Sequence, residues 1–352
     1  MNIRKIRIIC EEAYAESIWC KQLLGGVIRE AKKRRLPCEQ SVQAKEASLE
    51  DAVCLIGMSN AWLEEMISGC NAMGHTPVVL SNQFCKKQIG KYHYLCPDML
   101  RAAGSLKAAL QKANRKNIAL YGGNLSVDLD KNRVDIFSAL VQKRSDIYSN
   151  TGNLENCFRS FFPKAAQYDT VLCVNGYAAI SLVKKLEKEN ADLLKKLVIV
   201  SFEEVLKHSK YNQWISLVDL NLEDYGRAAL MMLEIASGEN DISSMTVEME
   251  CKVEKIPVKD ADEKSEESIE NCMMFEDPEI IHMAKIEQLL RDADDMDHHI
   301  IAMLLSNAKY GEIADSCYMT EGNVKYRVKK YMGICGCKTK KELLELLQEY
   351  LQ

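Results

Sequence analysis

The sequence predicts an α/β protein with two doubly wound parallel sheets, followed by a small all-α domain. Three observations support this prediction. Short apolar stretches alternate with helical patterns over the first two thirds of the chain, an acidic stretch near residue 260 interrupts them, and only helical patterns follow. Short, continuously apolar strands that are each followed by a helix are typical of parallel sheets covered by helices on both faces.

The strands and helices can be assigned along the chain from this alternation. The predicted strands are 6–10, 52–56, 76–80, 118–121, 171–174 and 197–202. The predicted helices are 15–33, 61–73, 98–113, 133–142, 177–188 and 222–236. The alternation covers more than 200 residues, so we expect two lobes, each built around its own sheet.

The composition is that of a globular protein. Hydrophobic residues make up 47% and charged residues 28% of the 352 residues, which excludes a disordered or fibrous chain and allows a sizeable core. The net charge of -5 argues against indiscriminate coating of nucleic acid but leaves room for a local basic surface.

The cellular location is predicted from what the sequence lacks. It has no apolar run near 18 residues and no signal-peptide pattern at its start, so we expect no membrane span and a bacterial cytoplasmic protein. The 14 cysteines are scattered, as reduced core cysteines are. Cys335 and Cys337 lack a second pair or a nearby histidine, and we expect neither a metal nor a cofactor.

Polar and aromatic residues follow the predicted strands, where open α/β sheets bind their ligands. They are Glu11, Glu12, Trp19, Asn124, Asn132, Arg133, Asn175, Phe202 and Glu203. A cleft lined by an arginine, amides, a carboxylate and an aromatic ring suits a small polar ligand such as a sugar. Structural explanations remain open: Arg133 could pair with Asp128 or Asp130, Asn175 could close a turn, Trp19 could be core, and Glu203 could be solvated.

Residues 4–256 resemble the ligand-binding core of lactose-repressor-type regulators, which is similar to periplasmic sugar-binding proteins. The runs that carry the resemblance are YHYLCPDMLRAAGSL, NIALYGGN, NRVDIFSAL, DTVLCVNGYAAISLV and LVIVSFEE. It implies a sensor of a small-molecule effector, with ligand-binding residues Trp19, Asp98, Arg133, Asn175 and Glu203. Gly176 stands where the family usually has aspartate, Ile136 where it has glycine, and Glu203 is longer than the usual aspartate. The DNA-binding unit, N-terminal in that family, is expected here at the other end.

The chain from Asp260 to Asp277 is strongly acidic. It holds eight carboxylates against Lys264 alone, and it predicts a solvated linker. The expected domains are therefore 1–258, a linker 259–277, and 278–352. Pro278 opens a helix with Ile281, Ile286, Leu289 and Leu290 on one side, which could pack on the last domain or pair with a second copy.

The last domain contains a helix-turn-helix pattern. Thr320 is a favourable N-cap for a helix, in which Val324, Val328 and Tyr331 recur at i, i+4 and i+7 and therefore pack inward. Gly322, Tyr326, Lys329 and Lys330 lie on the opposite face, with Asn323 and Lys325 on its flanks. Thr339 and Glu342 form a capping box that predicts a last helix over 340–350.

The predicted helix is locally basic. Residues 323–341 include seven lysines or arginines and no acidic residue, which is the local excess that phosphates require. A solvated helical face is the alternative explanation.

Residues 296–346 resemble, without gaps, the four-helix DNA-binding domain of LuxR-type regulators. The matching residues are Glu312-Ile313-Ala314, Thr320-Glu321-Gly322, Val324-Lys325, Gly336 and Glu342. The resemblance implies that the helix opened by Thr320 enters the major groove of double-stranded DNA. The DNA-binding residues would be Thr320, Asn323, Lys325, Tyr326, Lys329 and Lys330. Tyr318 replaces the usual small glycine of the turn, and Gly333 predicts a shortened or kinked helix.

These features together predict a ligand-responsive transcription regulator that binds DNA as a homodimer, because paired half-sites multiply affinity. No catalysis is expected, since the sequence shows no glycine-rich phosphate loop and no histidine pair at metal spacing. Three alternatives stay open. They are a cytoplasmic small-molecule binding protein whose last helices contact a protein partner, a regulator whose lobes no longer bind ligand, and an enzyme on the same scaffold.

Overall fold

The computed structural model describes residues 3–41, 51–81, 90–141, 143–202, 206, 209–237, 242–254, 256–257 and 277–351. Within these ranges the chain forms two six-stranded sheets covered by helices, and only helices follow residue 277. The predicted fold class is therefore confirmed: two α/β lobes and a small all-α unit. No helix of this part of the chain is long and apolar enough to cross a bilayer.

Lobe 1 is built on a parallel sheet. In spatial order its strands are β11 (Met245–Met249), β5 (His93–Pro97), β4 (Val78–Leu80), β3 (Asp51–Ile56), β1 (Lys5–Cys10) and β2 (Cys38–Ser41). Its helices are α1 (Ile18–Lys33), α2 (Asn60–Ala72) and α8 (Tyr225–Ala236). Helices α1 and α8 approach so closely that a methyl group on Gly226 would lie 2.0 Å from the carbonyl oxygen of Gly26.

Lobe 2 repeats this architecture with one antiparallel edge strand. In spatial order its strands are β12 (Lys252–Val253), β10 (Ile215–Asp219), β9 (Val198–Ser201), β8 (Thr170–Cys173), β6 (Ile118–Gly123) and β7 (Ile147–Ser149), of which β12 is antiparallel to β10. Its helices are α3 (Met99–Lys112), α4 (Asp128–Phe137), α5 (Leu154–Phe161), α6 (Gly176–Glu189) and α7 (Ala191–Leu194).

The chain passes between the two lobes three times, after β5, after β10 and after β11. Each lobe is therefore assembled from separate stretches of sequence. The central strands are buried at every position, as β3 and β6 show, because helices cover both faces of a parallel sheet.

Residues 277–351 form the helical unit. Its helices are α9 (Pro278–Arg291), α10 (Asp295–Leu305), α11 (Tyr310–Ser316), α12 (Glu321–Cys335) and α13 (Lys340–Leu351). Helix α9 packs against α12 and α13 and also against α6 of lobe 2. Its buried apolar residues are Ile280, Met283, Ile286 and Leu289, whereas Ile281, predicted on the packed side, is 39% exposed.

Two predicted helices differ from the observed ones. The helix predicted over 133–142 begins at Asp128 and ends at Phe137. The Asn124 side chain closes a turn by accepting from the amide and hydroxyl of Ser126, so the helix begins about one turn earlier than predicted. The shortening predicted at Gly333 was wrong. Helix α12 continues to Cys335 and ends at Gly336, whose φ of 69° is the left-handed conformation that terminates many helices.

Several elements were not predicted, and other predictions fall on residues that the structure does not describe. The predictions missed the helices α5 and α7 and the strands β2, β5, β7, β10, β11 and β12. The linker, up to residue 276, and the domain boundary at 258 lie outside the described residues. At the start of α13, Glu342 donates its amide to Thr339 Oγ1 at 3.1 Å, as the predicted capping box requires, while its carboxylate accepts from the amide of Lys338, one residue before Thr339, at 2.7 Å.

Candidate functional site

Two of the predicted ligand-binding residues meet beneath the carboxyl ends of β6 and β8. The Arg133 guanidinium donates to the carbonyl oxygen of Val174 at 2.8 Å, and Asn175 Nδ2 donates to Asp130 Oδ1 at 3.4 Å. Asn175 also caps α6 by accepting from the amide of Ala178 at 2.9 Å. The sequence placed Arg133 and Asn175 on different elements, and the structure brings them into one network.

Asp130 lies at the centre of this network. Its carboxylate is fully buried and accepts from the amide of Asn124 at 2.9 Å. Burial raises the pKa of Asp130, although the amide of Asn124 and the nearby Arg133 charge favour its ionised form. The residue was considered at the sequence level only as a partner for Arg133, and its position three residues before Arg133 on one helix was the available signal.

Arg133 and Asn175 are themselves buried, with 1% and 5% of their surfaces exposed. Their described hydrogen bonds go to protein groups, which is the structural explanation that the sequence left open for both. Both residues therefore fix the chain at the carboxyl ends of β6 and β8, the edge at which open α/β sheets bind ligands.

Two of the other predicted residues, Trp19 and Asp98, lie elsewhere. Trp19 is fully buried in the core of lobe 1, with its ring 5.8 Å from that of Tyr14 and no described partner for its indole nitrogen. Asp98 caps α3 by accepting from the amide of Arg101 at 2.9 Å, at the first crossing between the lobes. Glu203 lies outside the described residues.

Lobe 1 contributes a buried carboxylate to the cleft edge that the prediction did not select. Glu11, 5% exposed, accepts from the amides of Met58 and Ser59 at 2.7 and 3.0 Å and from the Ser59 hydroxyl. It thereby ties the end of β1 to the start of α2. Its place immediately after the first strand was the sequence signal.

A hydrogen bond joins the two lobes across the cleft. Asn60 Nδ2, at the start of α2, donates to Asp128 Oδ2, at the start of α4, at 3.0 Å. The two residues are 68 positions apart, so sequence spacing gives no indication of the contact. The bond holds the cleft edges together in the conformation described.

The second site is the outer side of α12. The cationic face consists of Thr320, Asn323, Lys325, Tyr326, Lys329 and Lys330, and all six are exposed. Val324, Val328 and Tyr331 are buried on the opposite side, as the spacing predicted. Thr320 caps the helix by accepting from the amide of Asn323 at 3.3 Å.

Not all of the basic residues around α12 are free. Lys325 pairs with Glu321 at 2.8 Å and lies 5.8 Å from the centre of the Tyr310 ring. Arg327 pairs with Asp294 at 3.0 Å and with Asp297 at 2.5 Å. Among the described residues, no carboxylate lies within ion-pair distance of Lys329 or Lys330, so these two carry the unneutralised charge of the face.

Asp297 connects the back of α12 to α10. It is 2% exposed and accepts from the Tyr331 hydroxyl at 2.5 Å as well as from Arg327. Burial alone would raise the pKa of Asp297, but the hydrogen bonds from Tyr331 and Arg327 outweigh it and lower that pKa. This cluster fixes the orientation in which α12 presents its outer side.

The turn between α11 and α12 accommodates Tyr318 in place of a glycine. Its φ is 51°, in the left-handed region, and its side chain is 99% exposed. The residue therefore adopts the backbone conformation that glycine would provide, at a cost of about 1 kcal/mol.

No protein-family model matches this chain, and no curated protein sequence matches it. Its fold is similar to solved structures of LacI-type regulators. A LacI transcriptional regulator from Lactobacillus brevis is 10% identical with a TM-score of 0.56, over 70% of this chain and 98% of the other. The Escherichia coli transcriptional repressor ascG is 14% identical with a TM-score of 0.55, over 72% and 98%.

A LacI family transcriptional regulator from Arthrobacter sp. FB24, solved in complex with lactose, is 15% identical with a TM-score of 0.54, over 73% of this chain and 100% of the other. At these identities the likeness shows a shared two-lobed fold. The part of this chain that aligns with these structures, 70–73% of its length, is close to the part that forms the two lobes.

Proposed function

We propose that this protein is a ligand-responsive transcription regulator that binds double-stranded DNA through the cationic face of α12. The observation that carries the proposal is that Lys329 and Lys330 are exposed, with no ion-pair partner among the described residues, on a helix whose N-terminus follows a short helix and a tight turn. Phosphates bind such a local positive surface, and the second helix of a helix-turn-helix enters the major groove.

The rest of the proposal follows the predicted domain organisation. Residues 1–258 would sense a small polar effector, 259–277 would be the linker, and 278–352 would bind DNA. Asn323, Lys325 and Tyr326 would contact base edges or phosphates alongside the two free lysines. A homodimer would place two copies of α12 on paired half-sites, and no catalytic step is assigned.

Removing Lys329 and Lys330 tests the DNA-binding part. We expect the double alanine variant to bind pooled genomic fragments more weakly and to lower the slope of log affinity against log salt by about one for each lysine. Lys107→Ala is the matched control, because Lys107 is an exposed lysine on α3 of lobe 2. An unchanged affinity and salt slope in the double variant would refute the groove assignment.

The effector is proposed to be a sugar or another polar metabolite bound between the lobes, by analogy with the lactose complex of the Arthrobacter protein. We expect one such compound to raise the unfolding temperature, because a ligand at about 100 times its Kd stabilises a protein by about 2.7 kcal/mol. Asn60→Ala should lower the affinity for that compound, since Asn60 bridges the cleft to Asp128.

One observation favours a second function for the lobes. Arg133 and Asn175 are buried and bonded to protein groups, which suits lobes that have kept a structural role without binding a ligand. In that case no compound in a broad screen would shift the unfolding temperature, while the DNA-binding result would be unaffected.

A further inference from the structure

The helical unit is attached to lobe 2 through a half-buried cluster of charges. Glu279 on α9 lies between two lysines of α6, with its carboxylate 3.3 Å from Lys184 Nζ and 2.7 Å from Lys185 Nζ. The Ser181 hydroxyl donates to the same carboxylate at 3.1 Å. Burial alone would raise the pKa of Glu279, but the two ammonium groups outweigh it and lower that pKa.

The end of α13 adds a second attachment point. The carbonyl oxygen of Tyr350 accepts from the Ser209 hydroxyl at 2.9 Å, and its ring lies edge-on to that of Tyr211 at 6.5 Å. Lys184 Nζ lies 4.8 Å from the centre of the same ring and 2.5 Å from a carboxylate oxygen of Glu349. Lys184 therefore contacts both α9 and α13.

Two further carboxylates of α9 and its cap satisfy backbone amides of lobe 2. Asp277 accepts from the amide of Leu154 at 2.9 Å, and Glu287 accepts from the amide of Leu206 at 2.8 Å. Both carboxylates are buried, with 6% and 4% exposed. A buried amide that loses such a partner leaves an unsatisfied group, so these bonds favour a fixed interface.

Helix α6 is common to both sites. Asn175 caps its N-terminus in the network with Asp130, and two turns later its Ser181, Lys184 and Lys185 hold Glu279. Helix α9 in turn packs against α12. Helices α6 and α9, with the α6–α9 and α9–α12 interfaces, therefore connect the Asp130 network at the strand ends to the cationic face.

Lobe 1 interacts with the helical unit through a long-range attraction between charges. The pKa of Glu16 is lowered first by Lys21, which is bonded to it at 2.6 Å, and then by the more distant charge of Arg291 at the end of α9. The Glu16 side chain is 78% exposed, so solvent screens this attraction.

We propose that the helical unit moves with lobe 2 as a single body, and that α6 connects the cleft to the Lys184–Glu279–Lys185 cluster that holds it. When the lobes open or close, α12 then changes its position relative to lobe 1 while keeping its position on lobe 2. The consequence of this movement of α12 for gene regulation rests on the proposed function. The attachment itself is tested without DNA or effector.

Amide hydrogen exchange on the full-length protein tests the attachment. Two matched substitutions are compared, one at the contact with lobe 2 and one in lobe 1. Glu279→Gln removes the charge between the two lysines, and we expect the amides of α9 and α13 to exchange about tenfold faster or more. Glu16→Gln removes the attraction between Glu16 of lobe 1 and Arg291, and we expect the amides of α9 and α13 to exchange as in the wild type.

The proposal is overturned by any of three results. The first is wild-type exchange in α9 and α13 of the Glu279→Gln variant, and the second is an equally large increase there in the Glu16→Gln variant. The third is an increase in every element of the Glu279→Gln variant, including β1 and β3, which would show general destabilisation instead of release of the unit.

The role of α6 is tested with two N-cap variants of lobe 2. Asn175 caps α6, and Asn190 caps α7 by accepting from the amide of Leu193 at 3.0 Å. We expect Asn175→Ala to increase exchange in α6 and in α9, and Asn190→Ala to increase it in α7 alone. Faster exchange in α6 with unchanged exchange in α9 would remove α6 as the connection.

Discussion

Gly226→Ala is expected to destabilise lobe 1 by about 3 kcal/mol, the upper end of the usual effect of overpacking a core. An alanine methyl group at Gly226 would lie 2.0 Å from the Gly26 carbonyl oxygen and 2.9 Å from the Val27 amide nitrogen. Both are backbone atoms, which cannot rotate away as a side chain could. Helices α1 and α8 would have to separate, and both cover the lobe 1 sheet.

The neighbouring glycine provides the control for this prediction. Gly25 also lies inside α1, but no atom lies within 4 Å of the methyl group that alanine would add there. Gly25→Ala should therefore raise stability by about 0.5–1 kcal/mol, because alanine loses less backbone entropy in a helix. Urea unfolding followed by tryptophan fluorescence measures the stability of both variants, since Trp19 and Trp62 lie in lobe 1. Equal midpoints for the two variants would contradict the close contact.

Asp297→Ala is expected to destabilise the helical unit by about 3 kcal/mol. The substitution leaves the buried Tyr331 hydroxyl without the carboxylate that it donates to, and it removes one of the two partners of Arg327. It also breaks the capping box in which the Asp294 amide donates to Asp297 at 3.2 Å. These three losses fall on the contact that orients α12 against α10.

The helical unit contains no tryptophan, so amide exchange in α10 and α12 is the suitable measurement. A loss of about 3 kcal/mol corresponds to exchange on the order of a hundredfold faster. Asp295→Ala is the control, because Asp295 is an exposed carboxylate in the same helical turn. Wild-type exchange in Asp297→Ala would show that Asp294 alone holds Arg327 and that Tyr331 finds another partner.

The fold could be predicted from the sequence where burial is complete. Strands such as β3 and β6 are buried at every position, so their apolar runs are visible in the sequence. The short strands β2, β11 and β12 are only partly buried, or alternate between exposed and half-buried positions. Pairing with a neighbouring strand makes them strands, and that pairing leaves little trace in their residues.

The candidate sites were predictable to different degrees. The buried and exposed sides of α12 follow from helical spacing, and the pair between Glu321 and Lys325 was visible as an acid four residues before a lysine. The neutralisation of Arg327 could not be predicted from the sequence, because Asp294 and Asp297 lie 33 and 30 positions away. For Arg133 the sequence left a ligand-binding and a structural explanation open, and only the start of its helix, five residues earlier than predicted, was wrong.

The three passages of the chain between the lobes determine the order in which the protein can be completed during synthesis. The edge strand β11 of lobe 1 pairs with β5, which precedes it by about 150 residues, so lobe 1 stays unfinished on the ribosome until nearly all of lobe 2 has emerged. Strands β1–β5 of lobe 1 and β6–β10 of lobe 2 each come from one continuous stretch, so five strands of each sheet can form before its last edge strand is added. A nascent chain released near residue 237 would lack β11 in lobe 1 and β12 in lobe 2.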